Sequence, residues 1–231
     1  MGTMKEGLED TQQAIINAAR RAGRDPSEVT LVAVGKTKPA SMIRELYDLG
    51  VRDFGENKVQ EIKLKFAERP DGIELHMIGH LQSNKARDAV LLTDMIESAD
   101  SLSILNVINR EAEKAEKKMS VLLEVNTSSE KNKYGFPFER IDIIEDVLLK
   151  SRSFANLAIK GFMTVGPVNG MDSECCFSRL RKIRDELQSV FTDMDLSVLS
   201  MGMSNDFETA VRCGSTEVRI GTLIFGERSY V

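Results

Sequence analysis

The sequence predicts an α/β fold, a single (β/α)8 TIM barrel with an extra N-terminal helix, and three observations support this prediction. Eight short apolar segments rich in β-branched residues alternate with seven segments of helical length, roughly one unit every 25 residues. The 231 residues are a length that such barrels fill as one domain. No dinucleotide-binding glycine motif follows the first apolar segment, which favours a closed barrel over an open doubly wound sheet.

Apolar residues at helical spacing within residues 8–21 predict a leading helix, and Gly23 follows as a stop signal. We expect residues 1–26 to form this leading segment and residues 29–222 to form the barrel, within one domain of residues 1–231. The predicted strands are residues 29–34, 51–54, 74–78, 95–98, 121–126, 158–163, 196–200 and 217–220, and the predicted helices between them are residues 40–49, 57–66, 83–91, 102–118, 138–150, 173–191 and 204–213.

The composition predicts a protein with a sizeable apolar core and excludes a disordered chain, with 42% hydrophobic and 29% charged residues. A net charge of −5 without a basic segment that interleaves aromatics argues against a nucleic-acid partner. No apolar run approaches the roughly 18 residues of a membrane helix, and residues 1–12 lack the apolar core of a secretion signal. The adjacent Cys175 and Cys176 and the distant Cys213 match no disulfide framework. We expect a cytoplasmic protein without a membrane partner.

The two histidines do not predict a metal site. His76 and His80 are four residues apart, a spacing that binds metal on a helix, but residues 75–79 have the pattern of a strand that ends in a turn. The sequence shows no third ligand at a spacing typical of metal sites, so we expect no bound metal.

Lys36 is the first candidate for chemistry, because active sites of such barrels lie at the carboxyl ends of the strands. It shares strand parity with Val32 and Val34 and should point inward at the end of the first strand. One interpretation is a lysine that only reaches solvent from a strand end. The other is an amine of lowered pKa that attacks a carbonyl group to form a Schiff base. This residue alone leaves both interpretations open.

The last two strands predict an anion site. After strand seven, Gly202 leads to Ser204, the expected N-cap of a helix whose N–H groups would point at the barrel mouth. After strand eight, Gly221 permits close backbone approach and Thr222 offers a hydroxyl group. Each of these residues could also serve only a turn or a helix cap. A phosphate group is the anion that these loops often bind in such barrels.

Barrel closure makes strands eight and one neighbours at about 4.8 Å. The Lys36 amine and the predicted anion site could therefore hold one molecule with an aldehyde and a phosphate, and pyridoxal 5′-phosphate (PLP) has both. Asn57 after strand two and His80 after strand three are candidates for contacts with its ring, or plain helix starts. If the apolar neighbours of Arg219 face the helices, its side chain points into the barrel, where a cation needs a counter-charge.

Six segments together resemble the single-domain PLP-binding proteins of the pyridoxal phosphate homeostasis family, which are similar to the N-terminal barrel of alanine racemases. Such a set, in the expected order, is far more specific than any one lysine or glycine. The segments are residues 33–36, 54–57, 76–85, 161–164, 199–207 and 219–222.

The resemblance implies that PLP is the cofactor and forms an internal aldimine with Lys36. It implies that Arg219 either joins the phosphate contacts or lies toward the pyridine nitrogen, where a fixed cation would keep that nitrogen unprotonated and weaken the electron sink. The phosphate contacts that it implies are Ser200, Ser204, Gly221 and Thr222, with backbone near Met203 and Ile220.

The function implied by the resemblance is PLP binding in intracellular PLP homeostasis, with little or no catalytic turnover. Apo-enzymes that need PLP are the candidate partners, and we expect a monomer or weak dimer. The alternative is a PLP-dependent amino-acid racemase, which needs a second acid/base group opposite Lys36. Alanine racemases take this tyrosine from an additional β domain; of Tyr47, Tyr134 and Tyr230, only Tyr134 is placed to substitute. A barrel aldolase or sugar-phosphate isomerase with Lys36 as its Schiff-base residue is a third interpretation.

Overall fold

Eight parallel strands close into a barrel in the computed structural model, which describes residues 3–167 and 172–226. Each strand pairs with the next one along the chain, and the eighth pairs with the first. The strands are β1 (Thr30–Val34), β2 (Asp53–Glu56), β3 (Glu74–Met77), β4 (Met95–Ala99), β5 (Met119–Asn126), β6 (Leu157–Met163), β7 (Val198–Ser200) and β8 (Glu217–Ile220). A two-residue strand, Phe136–Pro137, adds to the end of β5.

Helices surround the barrel and complete the predicted (β/α)8 architecture, so the fold class is confirmed. They are α1 (Met4–Arg21), α2 (Ala40–Asp48), α3 (Val59–Lys65), α4 (Ala86–Leu92), α5 (Leu102–Lys114), α6 (Ile141–Ser151), α7 (Ser173–Val190), α8 (Phe207–Arg212) and α9 (Thr222–Phe225). Two short 3-10 helices, Pro26–Glu28 and Ser83–Lys85, precede β1 and α4. In the part of the chain that the structure describes, no helix is long and apolar enough to cross a membrane.

The apolar core lies between the strands and the helices. Each strand places alternate residues on its outer face, and the helices cover that face with residues at helical spacing. Each fully buried leucine, isoleucine or phenylalanine contributes about 1.5 to 3 kcal/mol. Fully buried examples are Phe54, Leu75 and Ile96 on the strands, and Leu46, Ile62 and Leu105 on the helices.

The helix α1 begins at Met4, earlier than predicted, because a capping box starts it. The Glu6 N–H donates to the Thr3 hydroxyl, and the Thr3 N–H donates to the Glu6 carboxylate. The buried face of α1 packs against α8 and α9. At Gly7 an added Cβ would lie 2.6 Å from the Leu223 carbonyl oxygen, so the close approach of α1 to α9 requires glycine.

Two predicted helices differ from the observed ones. The expectation that Ser204 caps α8 is wrong: α8 begins at Phe207, and Asp206 is its N-cap residue. The Asp206 carboxylate accepts the Met203 N–H at 2.7 Å and closes a turn before the helix. The predicted helix 102–118 ends at Lys114, because Glu116 adopts a left-handed backbone with φ +50°.

Candidate functional site

Lys36 lies at the carboxyl end of β1, in a tight turn at the barrel mouth, with its side chain half-buried. The Lys38 N–H donates to the Gly35 carbonyl at 2.9 Å and closes this turn. Thr37, the residue after Lys36, has a left-handed backbone with φ +65°. The Lys38 ammonium donates to the Phe225 carbonyl at 2.9 Å and joins the turn to α9.

The pairing of β1 with β8 brings the predicted phosphate residues beside Lys36. Ala33 stands opposite Ile220, so Gly221 follows alongside Val34. An added Cβ at Gly221 would lie 3.2 Å from the Val34 carbonyl oxygen. Thr222 begins α9, and the first N–H groups of a helix have no partner within it. Lys36, Ile220, Gly221 and Thr222 therefore meet at one edge, as the sequence predicted.

The turn after β7 stands at the same end of the barrel. Gly202 has φ +99°, and an added Cβ there would lie 2.6 Å from the Cβ of Ala210. The Arg219 N–H donates to the Gly202 carbonyl at 3.0 Å and ties this turn to β8. Met203 and Ser204 follow and are half-buried. Both thus lie next to the β8 edge, although Ser204 is not a helix cap.

Arg219 points into the barrel and is only 4% exposed. Its guanidinium donates to the Ser200 hydroxyl at 2.5 Å and to the Thr164 carbonyl at 2.8 Å. The same group lies 3.8 Å from the Glu97 carboxylate, which provides a counter-charge for the buried cation. The cation therefore lies inside the barrel, on the strand next to the one that leads to Lys36.

Ser200 is placed differently from the other predicted phosphate contacts. Its hydroxyl is fully buried, donates to Glu97 at 2.6 Å and accepts from Arg219. The reason is that Ser200 is the last residue of β7 and points inward, before the Gly202 turn leaves the barrel wall. Its observed partners are the charged groups of the interior.

A buried ionic cluster lies beneath Arg219. His76 Nδ1 is 2.8 Å from a Glu97 oxygen and 3.8 Å from a Glu217 oxygen. Burial favours neutral His76, but the hydrogen bond to Glu97 and the nearby carboxylates outweigh this effect and raise its pKa to about 9. Burial acts to raise the pKa of Glu97, but the opposing effects of His76 and Arg219 hold this pKa below its ordinary value. The pKa of Glu217 is raised by burial and by the nearby charge of Glu97.

One atom from each of His76, Glu97 and Glu217 lies within 4.8 Å of the others, a spacing that a metal ion could use. A proton on the imidazole and the Arg219 guanidinium already compensate these carboxylates. The expectation of no bound metal stays a prediction.

Asn57 and His80 come together on the other side of the mouth. At Gly79 an added Cβ would lie 2.3 Å from the Asn57 carbonyl oxygen, so only glycine lets these two turns pack together. Both residues line a cavity of about 240 Å³, with Glu124, Thr164 and Tyr134 among its other walls. Burial raises the pKa of Glu124 to about 7.

Tyr134 lies at the mouth with its ring stacked on His80, at 3.6 Å between ring centroids and 8° between planes. The His80 imidazole lies 3.0 Å from Asp100 and is oriented by it. Tyr47 lies on α2, and its hydroxyl donates to the Asp71 carbonyl. Tyr230 falls outside the described residues.

Sequence reasoning missed the acidic side chains inside the barrel, chiefly Glu97, Glu124 and Glu217. The missed signal is a single carboxylate within an otherwise apolar strand. A carboxylate at such a position rarely faces the helices, because those layers are apolar. The parity argument that placed Arg219 applies equally to these glutamates.

Comparison with known proteins then places the chain in a family. The model of the alanine racemase N-terminal domain matches residues 10–229. A pyridoxal phosphate homeostasis protein of Aquifex aeolicus (strain VF5) is 39% identical over 97% of this chain and 98% of its own length. The chain belongs to the pyridoxal phosphate homeostasis protein family.

Solved structures similar to this chain support the same family. An unknown protein from Bifidobacterium adolescentis has a TM-score of 0.87 and 35% identity, covering 96% of this chain and 94% of that one. PipY of Synechococcus elongatus PCC7942, solved with PLP bound, has a TM-score of 0.81 and 32% identity, covering 97% and 100%. The family barrel thus extends over nearly all of this chain.

Proposed function

We propose that this chain binds PLP at the barrel mouth through a Schiff base with Lys36 and acts in PLP homeostasis with little or no catalytic turnover. The observation that carries the proposal is the β1–β8 pairing, which sets the turn of Lys36 beside Gly221 and Thr222. The names of the curated relatives and PLP in the PipY structure support it.

The residues at the mouth fit this cofactor. PLP offers an aldehyde for a half-buried amine, a phosphate for backbone N–H and hydroxyl donors, and a flat ring for the side of the mouth where Asn57 and His80 line a cavity. The Lys36 nitrogen would attack the aldehyde carbon, a carbon–nitrogen double bond would form, and water would leave. The groups proposed to hold the phosphate are Ser204, Gly221 and Thr222 with the backbone of Met203 and Ile220, and those proposed to touch the ring are Asn57 and His80.

We assign Arg219 to the side of the pyridine nitrogen rather than to the phosphate. Its guanidinium is held inside the barrel by the Ser200 hydroxyl and the Thr164 carbonyl, and its charge is partly compensated there by Glu97. A fixed cation there keeps the ring nitrogen unprotonated, which weakens the electron sink that carbanion chemistry needs. Low turnover follows from this placement, and Ser200 acts by positioning Arg219.

The proposed cellular role follows from the reversibility of the Schiff base, which lets the protein bind PLP, a reactive aldehyde, and release it again. We propose that the protein delivers PLP to apo-enzymes in the cytoplasm as a monomer or weak dimer, with residues 1–231 forming one domain. Mixing PLP-loaded protein with an apo-enzyme, and comparing the rate of activation with that given by free PLP at equal concentration, tests delivery. Equal rates with and without the protein would contradict it.

The visible spectrum and the site of covalent attachment test the proposed binding. We expect loaded protein to be yellow, and borohydride reduction followed by peptide mass analysis to show the PLP mass on Lys36. Lys36→Ala should lose the colour, whereas Lys63→Met, which removes an exposed lysine, should keep it. Attachment at another residue in the wild type would contradict the proposal, and alanine racemisation that Lys36→Ala abolishes would favour the racemase alternative.

A further inference from the structure

The turn that carries Lys36 is anchored by a lysine that the Schiff-base chemistry does not use. The ammonium group of Lys65, at the end of α3, donates to the Gly35 carbonyl at 2.6 Å. It also donates to Glu56 at 2.8 Å and to Glu61 at 2.7 Å. The Lys65 side chain is only 9% exposed. The residue immediately before Lys36 is thus fixed by a nearly buried cation.

The residue immediately after Lys36 is fixed by the same cluster. The Glu61 oxygen that accepts from Lys65 also accepts the Thr37 N–H at 2.8 Å. Thr37 has the left-handed backbone that non-glycine residues adopt at a cost of about 1 kcal/mol or more. An unanchored turn would relax from this conformation, so the Glu61 contact holds Lys36 in its place.

Glu56, the last residue of β2, completes the cluster on the helix side of the strand. Its carboxyl group is fully buried, and its second oxygen has no hydrogen-bond partner among the described residues. Burial raises its pKa to about 7, against the opposing effect of Lys65. An added Cβ at Gly35 would lie 2.9 Å from this carboxyl group, so Glu56 packs directly on the backbone beside Lys36.

A purely structural ion pair explains this arrangement less well. Replacing a buried ion pair by apolar residues is often neutral or stabilising, so stability alone gives little reason for the cluster. Lys63, two residues earlier on α3, pairs with Asp88 at the surface, 2.7 Å away. The buried lysine instead contacts backbone next to the reactive amine.

We propose that Lys65, Glu61 and Glu56 are positioning residues that hold the Lys36 amine in line for the cofactor, an inference that rests on the proposed attachment of PLP to Lys36. A displacement of about 1 Å at a reacting atom can slow a reaction by roughly 100-fold. The cluster contacts the backbone on both sides of Lys36, and the Glu56 carboxyl group also interacts with the Lys36 charge.

Two measurements test this role in Lys65→Met and Glu61→Gln, with Lys63→Met as the matched control. The first is the rate at which acetic anhydride acylates Lys36 in PLP-free protein, read by peptide mass analysis. The second is the rate of PLP release after dilution of loaded protein, read from the visible band. Loosening the turn should expose the Lys36 amine to the reagent and move it out of line for the cofactor, so we expect several-fold faster acylation and roughly tenfold or more faster release in both cluster variants. Circular dichroism confirms that each variant is folded.

Acylation and release rates equal to those of Lys63→Met in a folded cluster variant would overturn the inference. If Lys65→Met does not fold, the result for Glu61→Gln tests the inference. Glu61 is partly exposed, and glutamine has nearly the same size and shape as glutamate, so this variant is expected to fold. Reduction that tags a residue other than Lys36 in wild-type protein would overturn the proposed function instead. In that case the acylation measurement, made without PLP, still reports whether the cluster holds Lys36.

Discussion

At the scale of single residues, the barrel interior is organised around the buried charge of Arg219. Its guanidinium has two neutral partners, Ser200 and the Thr164 carbonyl, and one carboxylate neighbour, Glu97. Glu97 also forms the hydrogen bond with His76. Because Glu97 is the carboxylate that contacts both cations, we expect its loss to disturb the interior most.

Glu97→Gln should lower the free energy of unfolding by about 3 to 5 kcal/mol, since it removes the counter-charge of a buried cation. The matched control is Asp193→Asn, whose exposed ion pair with Arg152 contributes about 1 kcal/mol or less. Urea unfolding of both variants measures the difference. Equal effects would show that Glu97 does not compensate Arg219.

At the scale of elements, the N-terminal helix reaches the site indirectly through a neighbouring helix. The helix α1 packs on α9, and α9 begins at Thr222, beside the turn of Lys36. The Lys38 ammonium bonds the carbonyl at the end of α9, so the two mouth segments are also joined to each other. The helix that precedes the barrel therefore helps to place the proposed phosphate site.

Gly7→Ala should destabilise the protein, although alanine favours a helix by about 1 kcal/mol over glycine. The added methyl group would lie 2.6 Å from the Leu223 carbonyl oxygen, and overpacking of this kind costs about 1 to 3 kcal/mol. We also expect weaker PLP binding, because α9 must move. Gln12→Ala, on the exposed side of α1, is the control, and a Gly7→Ala variant as stable as this control would contradict the argument.

At the scale of the whole molecule, the interior charges link stability to pH. The pKa of His76 is raised from 6.5 to about 9 by folding, so the folded state binds a proton that the unfolded state releases earlier. Its stabilising effect is complete below about pH 6.5 and is lost as the pH rises through about 9. The carboxyl groups of Glu124, inside the barrel, and of Glu56, on its helix side, have pKa values raised to about 7, and that of Glu217 is raised to about 8; all three act in the same direction.

The free energy of unfolding should therefore fall between pH 6.5 and pH 9 in the wild-type protein. His76→Gln should be less stable at pH 6.5 but should show a flatter profile across this interval. Urea unfolding at several pH values measures both curves. Parallel curves would mean that His76 is not the titrating group.

Much of the fold could be predicted from periodicity alone. All eight strands and the helices between them appear near their predicted positions, since a buried parallel strand and an amphipathic helix each leave a pattern in a short segment of chain. The ends of α5 and α8 differed, because Glu116 and Asp206 act through local backbone geometry that periodicity does not report. The meeting of Lys36 with Gly221 and Thr222 followed from barrel closure.

What the sequence by itself determined is the order of strands and helices, the closed barrel and the proximity of its two ends, because these depend on local pattern and on the connectivity of parallel strands. Only the tertiary structure decided what the interior charges do. Glu97 pairs with residues of β3 and β8, and Lys65 reaches back to the turn after β1. Such contacts depend on distances between elements that are far apart in the chain, and no spacing along the chain encodes them.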